Sequence, residues 1–328
     1  MTGFYRRFIP LLSFLFFFSI AAAQPLPKLQ SVSNSEIAFA VYSQNTLYGM
    51  NLDNSQGEIR FRIVSDHNHK VLFIDKNIGD VYGTAAGFND SGIFVAYQYL
   101  SNTLQSALLT PANFQSSFAP VLFENNSLPS KKDVLTRADF PSVNNANLLA
   151  ADDNRNRFVI ETSNGISSFQ ADQDKFVVLT NQLSTAVISP DENNFYHPLQ
   201  QKARLENEIN KNLADFSINY AFNALKIAQP EQDSLASIVI DPGKNEIYLA
   251  FDKDYEKIWM INLDGGTIET YGGFEKYHKG NIPDIGITAN DLRILNFSNE
   301  GLMVKIIFGA IGILIIIIMT IIFNIRNF

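Results

Sequence analysis

Residues 37–53, Ile-Ala-Phe-Ala-Val-Tyr-Ser-Gln-Asn-Thr-Leu-Tyr-Gly-Met-Asn-Leu-Asp, constrain the fold of this chain more than any other stretch. Ile37, Phe39 and Val41 alternate with a period of two, the period of a strand. Ser43-Gln44-Asn45 is a cluster of turn formers that sends the chain back through Leu47 and Tyr48. The pattern predicts two strands joined by a tight turn. The second strand ends in Gly49-Met50-Asn51-Leu52-Asp53, a polar cluster on an apolar strand and a place for a buried site.

Two apolar segments bracket the rest. At the N-terminus, Arg6 and Arg7 precede an apolar run over residues 8–20, and Ala21-Ala22-Ala23 offers a small-residue cleavage site before Gln24. This is the layout of a secretory signal peptide, and the run is short for a membrane span. Residues 302–323 are apolar apart from Lys305 and Thr320, long enough to cross a bilayer as a helix. Arg326 in the short tail agrees with a cytoplasmic C-terminus. The expected organisation is a signal peptide (1–23), a leader (24–34), an ectodomain (35–300), a transmembrane helix (302–323) and a cytoplasmic tail (324–328). That makes a single-pass type I membrane protein, its ectodomain extracellular or in the lumen of the secretory or lysosomal pathway. A cleaved tail replaced by a lipid anchor is the alternative.

About 275 residues lie between the two segments, enough for one large domain or two small ones. The chain has no cysteine, which excludes cysteine nucleophiles and cysteine metal sites. A net charge of -8 without a basic cluster argues against a nucleic-acid partner. Asn89-Asp90-Ser91, Asn125-Asn126-Ser127 and Asn296-Phe297-Ser298 are glycosylation sequons. His67-x-His69 has metal-like spacing, but no carboxylate motif accompanies it, and it reads as a polar turn. No cofactor is expected.

Further strands are predicted at 57–66, 71–74, 93–100, 147–151, 158–161 and 176–180, with a turn cluster at 86–92. Residues 111–140 read as weakly helical, with Ser130-Lys131-Lys132-Asp133 in capping-box form. Residues 198–228 give the clearest helical pattern, from Leu205, Ile209 and Leu213 to Ile218, Phe222 and Leu225, ended by Pro230. Residues 236–240 and 247–251 form a second hairpin around Asp241-Pro242-Gly243-Lys244-Asn245, and 258–263 adds a strand. Strands and helices in this order give an α+β layered domain with antiparallel sheets. Regular hairpins also fit a β-propeller, an adhesion or receptor module, although no blade-length repeat occurs.

Four segments together resemble the linear amide C–N hydrolases: choloylglycine hydrolase, penicillin V acylase, acid ceramidase-type amidases and the penicillin-biosynthetic acyltransferases. Residues 47–53 resemble the family's Gly-Arg-Asn-x-Asp, and residues 86–93 its Gly-x-Asn-Glu-x-Gly-Leu turn. Residues 147–161 followed by Leu179-Thr180-Asn181 resemble its strand pair leading to Thr-Asn, and residues 234–251 its C-terminal hairpin. The resemblance spans roughly residues 35–265. It implies a four-layer αββα sandwich of the N-terminal-nucleophile (Ntn) hydrolase type, here with an added transmembrane helix. In that family the first residue of the mature chain supplies the nucleophile, and its free α-amine accepts the proton. The resemblance assigns Asp53 to orient the amine and Asn89 to the oxyanion hole. It assigns Asn181 to the substrate or nucleophile side and Arg204 to the family's later arginine.

The chain departs from that pattern twice. The family's cysteine falls at Ser35 or Glu36, and its arginine falls at Met50. A carboxylate cannot reproduce the step of a thiolate, and a thioether holds no charge. Signal cleavage before Gln24 leaves Ser35 eleven residues from the new terminus. The expectation is therefore a catalytically impaired or inactive relative that keeps a pocket for an acyl-amide or lipid-like small molecule. The competing expectation is a serine amidase that uses Ser35 after removal of residues 24–34.

Overall fold

The computed structural model describes residues 36–53, 58–78, 81–99, 119–129, 146–163, 166–170, 175–180, 198–228 and 234–297. The opening hairpin is present as β1 (Ile37–Tyr42) and β2 (Thr46–Asp53). β3 (Ile59–Ser65), β4 (Lys70–Ile78), β5 (Val81–Asn89), β6 (Phe94–Tyr99), β7 (Ala146–Ala151), β8 (Arg157–Ser163), β9 (Ile166–Gln170) and β10 (Phe176–Thr180) follow. Next come α1 (Pro198–Asn212) and α2 (Ile218–Ala228). Then β11 (Ser234–Asp241), β12 (Glu246–Phe251), β13 (Ile258–Asn262), β14 (Thr267–Gly272), β15 (Lys279–Asn281), β16 (Ile287–Thr288) and α3 (Ala289–Phe297) complete the described chain.

The strands form two antiparallel eight-stranded sheets. The first has the order β10-β1-β2-β11-β12-β13-β14-β15, and the second β16-β3-β4-β5-β6-β7-β8-β9. Ala38, Ala40, Tyr48, Met50, Leu52, Ile238 and Leu249 of the first sheet share one buried cluster with Phe61, Leu72, Ile74, Phe88, Phe94 and Leu149 of the second. The sheets are therefore stacked face to face. The outer face of the first sheet, through Ile37, Phe39, Val41 and Val239, packs on Leu205, Ile209, Phe222 and Leu225 of α1 and α2. The outer face of the second sheet, through Phe73, Val95 and Ile160, packs on Val121 and Leu122 of a helical turn at 119–123. Two sheets of eight strands exclude the propeller of four-stranded blades.

All six residues of β1 are buried, so its alternation separates two apolar environments rather than core from solvent. Gly49 lies opposite Phe39 in the register, and a Cβ there would come within 2.2 Å of the Phe39 ring. The glycine makes room for the phenyl group. Tyr48, on the other face, stacks on Phe94 at 5.1 Å and donates its hydroxyl to the carbonyl of Gly92 at 2.9 Å. Burial, reinforced by Tyr42, Asp152 and Asp153, pushes the Tyr48 phenol well above its ordinary pKa, so it stays a neutral donor.

Several sequence expectations need correction. The helical region 198–228 is two helices. A 3-10 turn at Leu213–Asp215 separates them, and Phe216 is extended at φ -60, ψ 114. Phe216 leaves the helical path to bury its ring edge-on against Phe39, with centroids 6.0 Å apart. Residues 86–89 belong to β5, and the turn is confined to Asp90–Gly92. β5, β9, β14, β15, β16 and α3 had no sequence signal strong enough to be assigned. The capping-box segment 130–133 and the apolar segments 8–20 and 302–323 lie outside the described residues. No helix among the described residues is long and apolar enough to cross a membrane. The His67–His69 segment is the β3–β4 turn. The Asp66 carboxylate accepts from the backbone N–H of His69 and Asn68, which lowers its pKa.

Candidate functional site

β1 begins, and β2 and β10 finish, at the same end of the first sheet. Ile37 is in register with Asn51 on one side and Thr180 on the other. Glu36 immediately precedes Ile37 and shares the parity of Ala38 and Ala40, which face the second sheet. On β4 the residues facing the first sheet are Leu72 and Ile74, and the same alternation brings Lys76 inward. The two charges meet there: Lys76 Nζ lies 2.7 Å from Glu36 Oε1. Both residues are buried, Glu36 at 6 % and Lys76 at 8 % exposure.

The second sheet extends this polar floor sideways. Lys76 is in register with Gly83 of β5, which contributes no side chain. Beyond β5, Gln98 of β6, Asn147 of β7 and Glu161 of β8 are consecutive register partners. They follow the parity of Phe94 and Ala96, Leu149 and Ala151, and Val159, all in the layer between the sheets. All three are buried. Asn147 Nδ2 donates to the carbonyl of Thr180 at 2.7 Å, which ties the second sheet to the first. Glu36, Lys76, Asn147 and Glu161 each have further interactions. Among the described residues, neither amide atom of Gln98 meets a hydrogen-bond partner.

A charge at such a site must be matched, because desolvating an ion costs several kcal/mol. Here one ammonium and one carboxylate sit in contact. Beside them lie the Gln98 and Asn147 amides and the Glu161 carboxylate, and Ile59, Leu52, Leu179 and Leu235 belong to the surrounding apolar layer. Such an arrangement suits recognition of a polar group on a largely apolar molecule.

The predicted site residues divide. Glu36 is at the centre of this cluster. Asp53 ends β2 at the same end of the sheet, in register with Ser234. Ser35 and Asn181 lie outside the described residues. Met50 is buried in the apolar layer between the sheets, where a thioether fits and an arginine would need a counter-charge. Asn51 faces the helices instead. Its Nδ2 donates to the carbonyl of Leu225 at 3.0 Å, and its Oδ1 accepts from Ser237 Oγ at 2.8 Å, fixing α2 to the sheet.

Asn89 is not brought to Glu36. Asn89 pairs with Val71 and Gly83 with Lys76, so Asn89 stands about 16 Å along β4 from Lys76, at roughly 3.3 Å per residue. Its Nδ2 donates to the carbonyls of Leu122 and Asn125 at 2.8 and 3.2 Å. Its Oδ1 accepts from the backbone N–H of Ile93 and Ser91 at 2.8 and 3.2 Å. Both N–H groups are thus spent in holding the β5–β6 turn against the 119–129 segment, and none is left for an oxyanion near Glu36. Replacing Asn89 by alanine is expected to cost about 2–4 kcal/mol, since several buried backbone groups lose their partners. Urea unfolding at constant m-value measures it. Arg204 is exposed on α1, one residue before the buried Leu205.

Lys76, Gln98, Asn147 and Glu161 were not singled out from the sequence as site residues. Their common signal is a polar residue at an inward position of an otherwise apolar strand, most visible for Gln98 in Ile-Phe-Val-Ala-Tyr-Gln-Tyr.

No protein-family model matches the sequence, and no curated protein matches it. Solved structures similar to the chain include a point mutant of conjugated bile acid hydrolase from Clostridium perfringens. That match has 13% identity, covers 76% of this chain and 97% of that one, and has a TM-score of 0.48. A second single-residue variant of the same hydrolase matches at 14% identity over 72% of this chain and 96% of that one, with a TM-score of 0.46. Penicillin V acylase from Agrobacterium tumefaciens matches at 14% identity over 71% and 90%, with a TM-score of 0.48. The solved structures similar to this chain are thus a conjugated bile acid hydrolase and a penicillin V acylase, at low identity.

Proposed function

We propose that the chain is an exported, membrane-anchored binding protein built on an αββα amide-hydrolase-like sandwich. In this reading the pocket is kept and amide cleavage is lost. The observation that carries it is the buried Glu36–Lys76 pair. It occupies the start of β1, where the sequence resemblance places a nucleophile. A carboxylate in contact with an ammonium has its charge neutralised and its lone pairs engaged, so it attacks an amide carbonyl poorly. The Lys76 amine, as an ammonium, carries no lone pair to accept a proton. The ligand class that follows is an acyl-amide or lipid-like small molecule, with its polar end at the floor and its apolar part outward. Anchoring rests on residues 302–323, whose length and apolarity fit a bilayer span.

The test is direct. Full-length protein in detergent is incubated with a conjugated bile acid, penicillin V and an N-acyl amino acid, and products are followed by mass spectrometry. The expected result is no turnover above buffer. Turnover that disappears in Ser35→Ala, in a protein whose mature N-terminus is Ser35, overturns the reading and establishes the serine amidase.

A further inference from the structure

We propose that the floor of the inter-sheet layer at Gln98 binds a small neutral molecule with a donor and an acceptor on one edge. A primary carboxamide, a lactam or a pyrimidine has such an edge. The inference deepens the binding-protein reading and rests on it.

Gln98 is 1 % exposed, and neither its Oε1 nor its Nε2 meets a hydrogen-bond partner among the described residues. Burying a polar group unmatched is costly, and buried amides in native proteins are nearly always paired. Strand parity puts Gln98 on the face of β6 that also carries Phe94 and Ala96, between the sheets. Three groups near it on that floor are directed elsewhere or absent. Asn147, its register partner, directs its own N–H to Thr180 on the opposite sheet. Toward β4, the residue in register with Lys76 is Gly83, which has no side chain to offer. The Lys76 ammonium is engaged with Glu36.

The chemistry of the missing partner follows. A glutamine carboxamide presents one acceptor and one donor side by side. Two parallel hydrogen bonds satisfy both when the partner shows N–H and C=O on the same edge. A linear secondary amide is trans and points these groups in opposite directions, so it can satisfy only one of them. Lactams, pyrimidines and primary carboxamides carry the matching edge. A neutral ligand adds no further buried charge to a layer that already holds the Glu36–Lys76 pair and the Glu161 carboxylate.

The experiment uses full-length protein in detergent and titration calorimetry with paired probes. The pairs are δ-valerolactam and its N-methyl derivative, benzamide and N-methylbenzamide, and uracil and 1,3-dimethyluracil. The expected result is saturable binding of the first member of each pair, at least about tenfold tighter than the second. Gln98→Met is expected to abolish that preference and to raise the melting temperature of ligand-free protein by roughly 3–6 °C. Glu275→Gln, exposed in the loop after β14, serves as the control that keeps it. Equal affinity within every pair, no binding of any probe, or a preference that survives Gln98→Met overturns the proposal. So does a crystal structure in which ordered water alone satisfies Gln98. The probe pairs need only the wild-type chain, so the proposal stays testable if a variant fails to fold. Amide turnover is a separate readout and bears on the binding-protein reading alone.

Discussion

Lys76→Met is expected to destabilise the protein by about 3–5 kcal/mol, the range for breaking a buried ion pair by removing one partner. Methionine keeps the length of the lysine stem, so the loss isolates the charge. The variant removes the counter-charge 2.7 Å from a carboxylate that stays 6 % exposed between the sheets. Glu36→Gln combined with Lys76→Met is expected to recover much of the loss, because both members of the pair become neutral. The measurement is urea unfolding of both variants and the wild type, with the midpoint interpreted only if the m-value is unchanged. A loss below about 1 kcal/mol, the level of an exposed pair, shows instead that water reaches the pair. The buried, desolvated pair on which the binding-protein reading rests then fails with it.

The second large effect concerns the opening hairpin. Phe39→Ala is expected to cost about 3–5 kcal/mol, since the ring is fully buried and packs on Phe216. Gly49→Ala is expected to cost about 1–3 kcal/mol through overpacking. Its new methyl would come within 2.2 Å of Phe39 Cζ and 2.4 Å of Cε1, in a fully buried layer. The two losses should not add. Removing the ring vacates the space the methyl needs, so the double variant is expected to be more stable than the sum implies by about 0.5–3 kcal/mol. Additive losses would mean that Gly49 is required for a reason other than the Phe39 ring.

That pair also shows how far the sequence can be read. The alternation in 37–41 and the turn at 43–45 are local properties, and the hairpin follows from them with its boundaries nearly correct. The second hairpin and the strand at 258–262 follow in the same way. The glycine in Gly49-Met50-Asn51-Leu52-Asp53 was legible as part of a motif. Its physical task, clearing space for a ring ten residues earlier, was not. The break between α1 and α2 was equally hidden, because the periodic apolar pattern continues across it. Phe216 leaves that pattern only because the Phe39 ring provides a better surface to pack against.

The strand positions of two candidate site residues were legible. Glu36 and Asp53 were placed at one end of a strand pair, and the structure puts both there. Asn89 was legible as part of a turn cluster, although it ends β5 just before the turn. Only the sheet order shows that its turn lies at the far end of β5 from Gly83 and Lys76. Lys76 could not be chosen from sequence at all, since it is separated from Glu36 by 40 positions. A lysine in a strand most often faces water.

The amino-acid sequence by itself determined where most of the strands run, where those strands turn, and which of their side chains share a face. These depend on backbone periodicity and turn chemistry acting over a few residues. The tertiary structure alone decided which layer each face meets. It gave β1 two apolar faces, one on the second sheet and one on the helices. It joined Glu36 to Lys76 and left the Gln98 amide without a partner among the described residues. The reason is that sheet order and register are set by the burial of the whole layer at once. No local pattern carries that information.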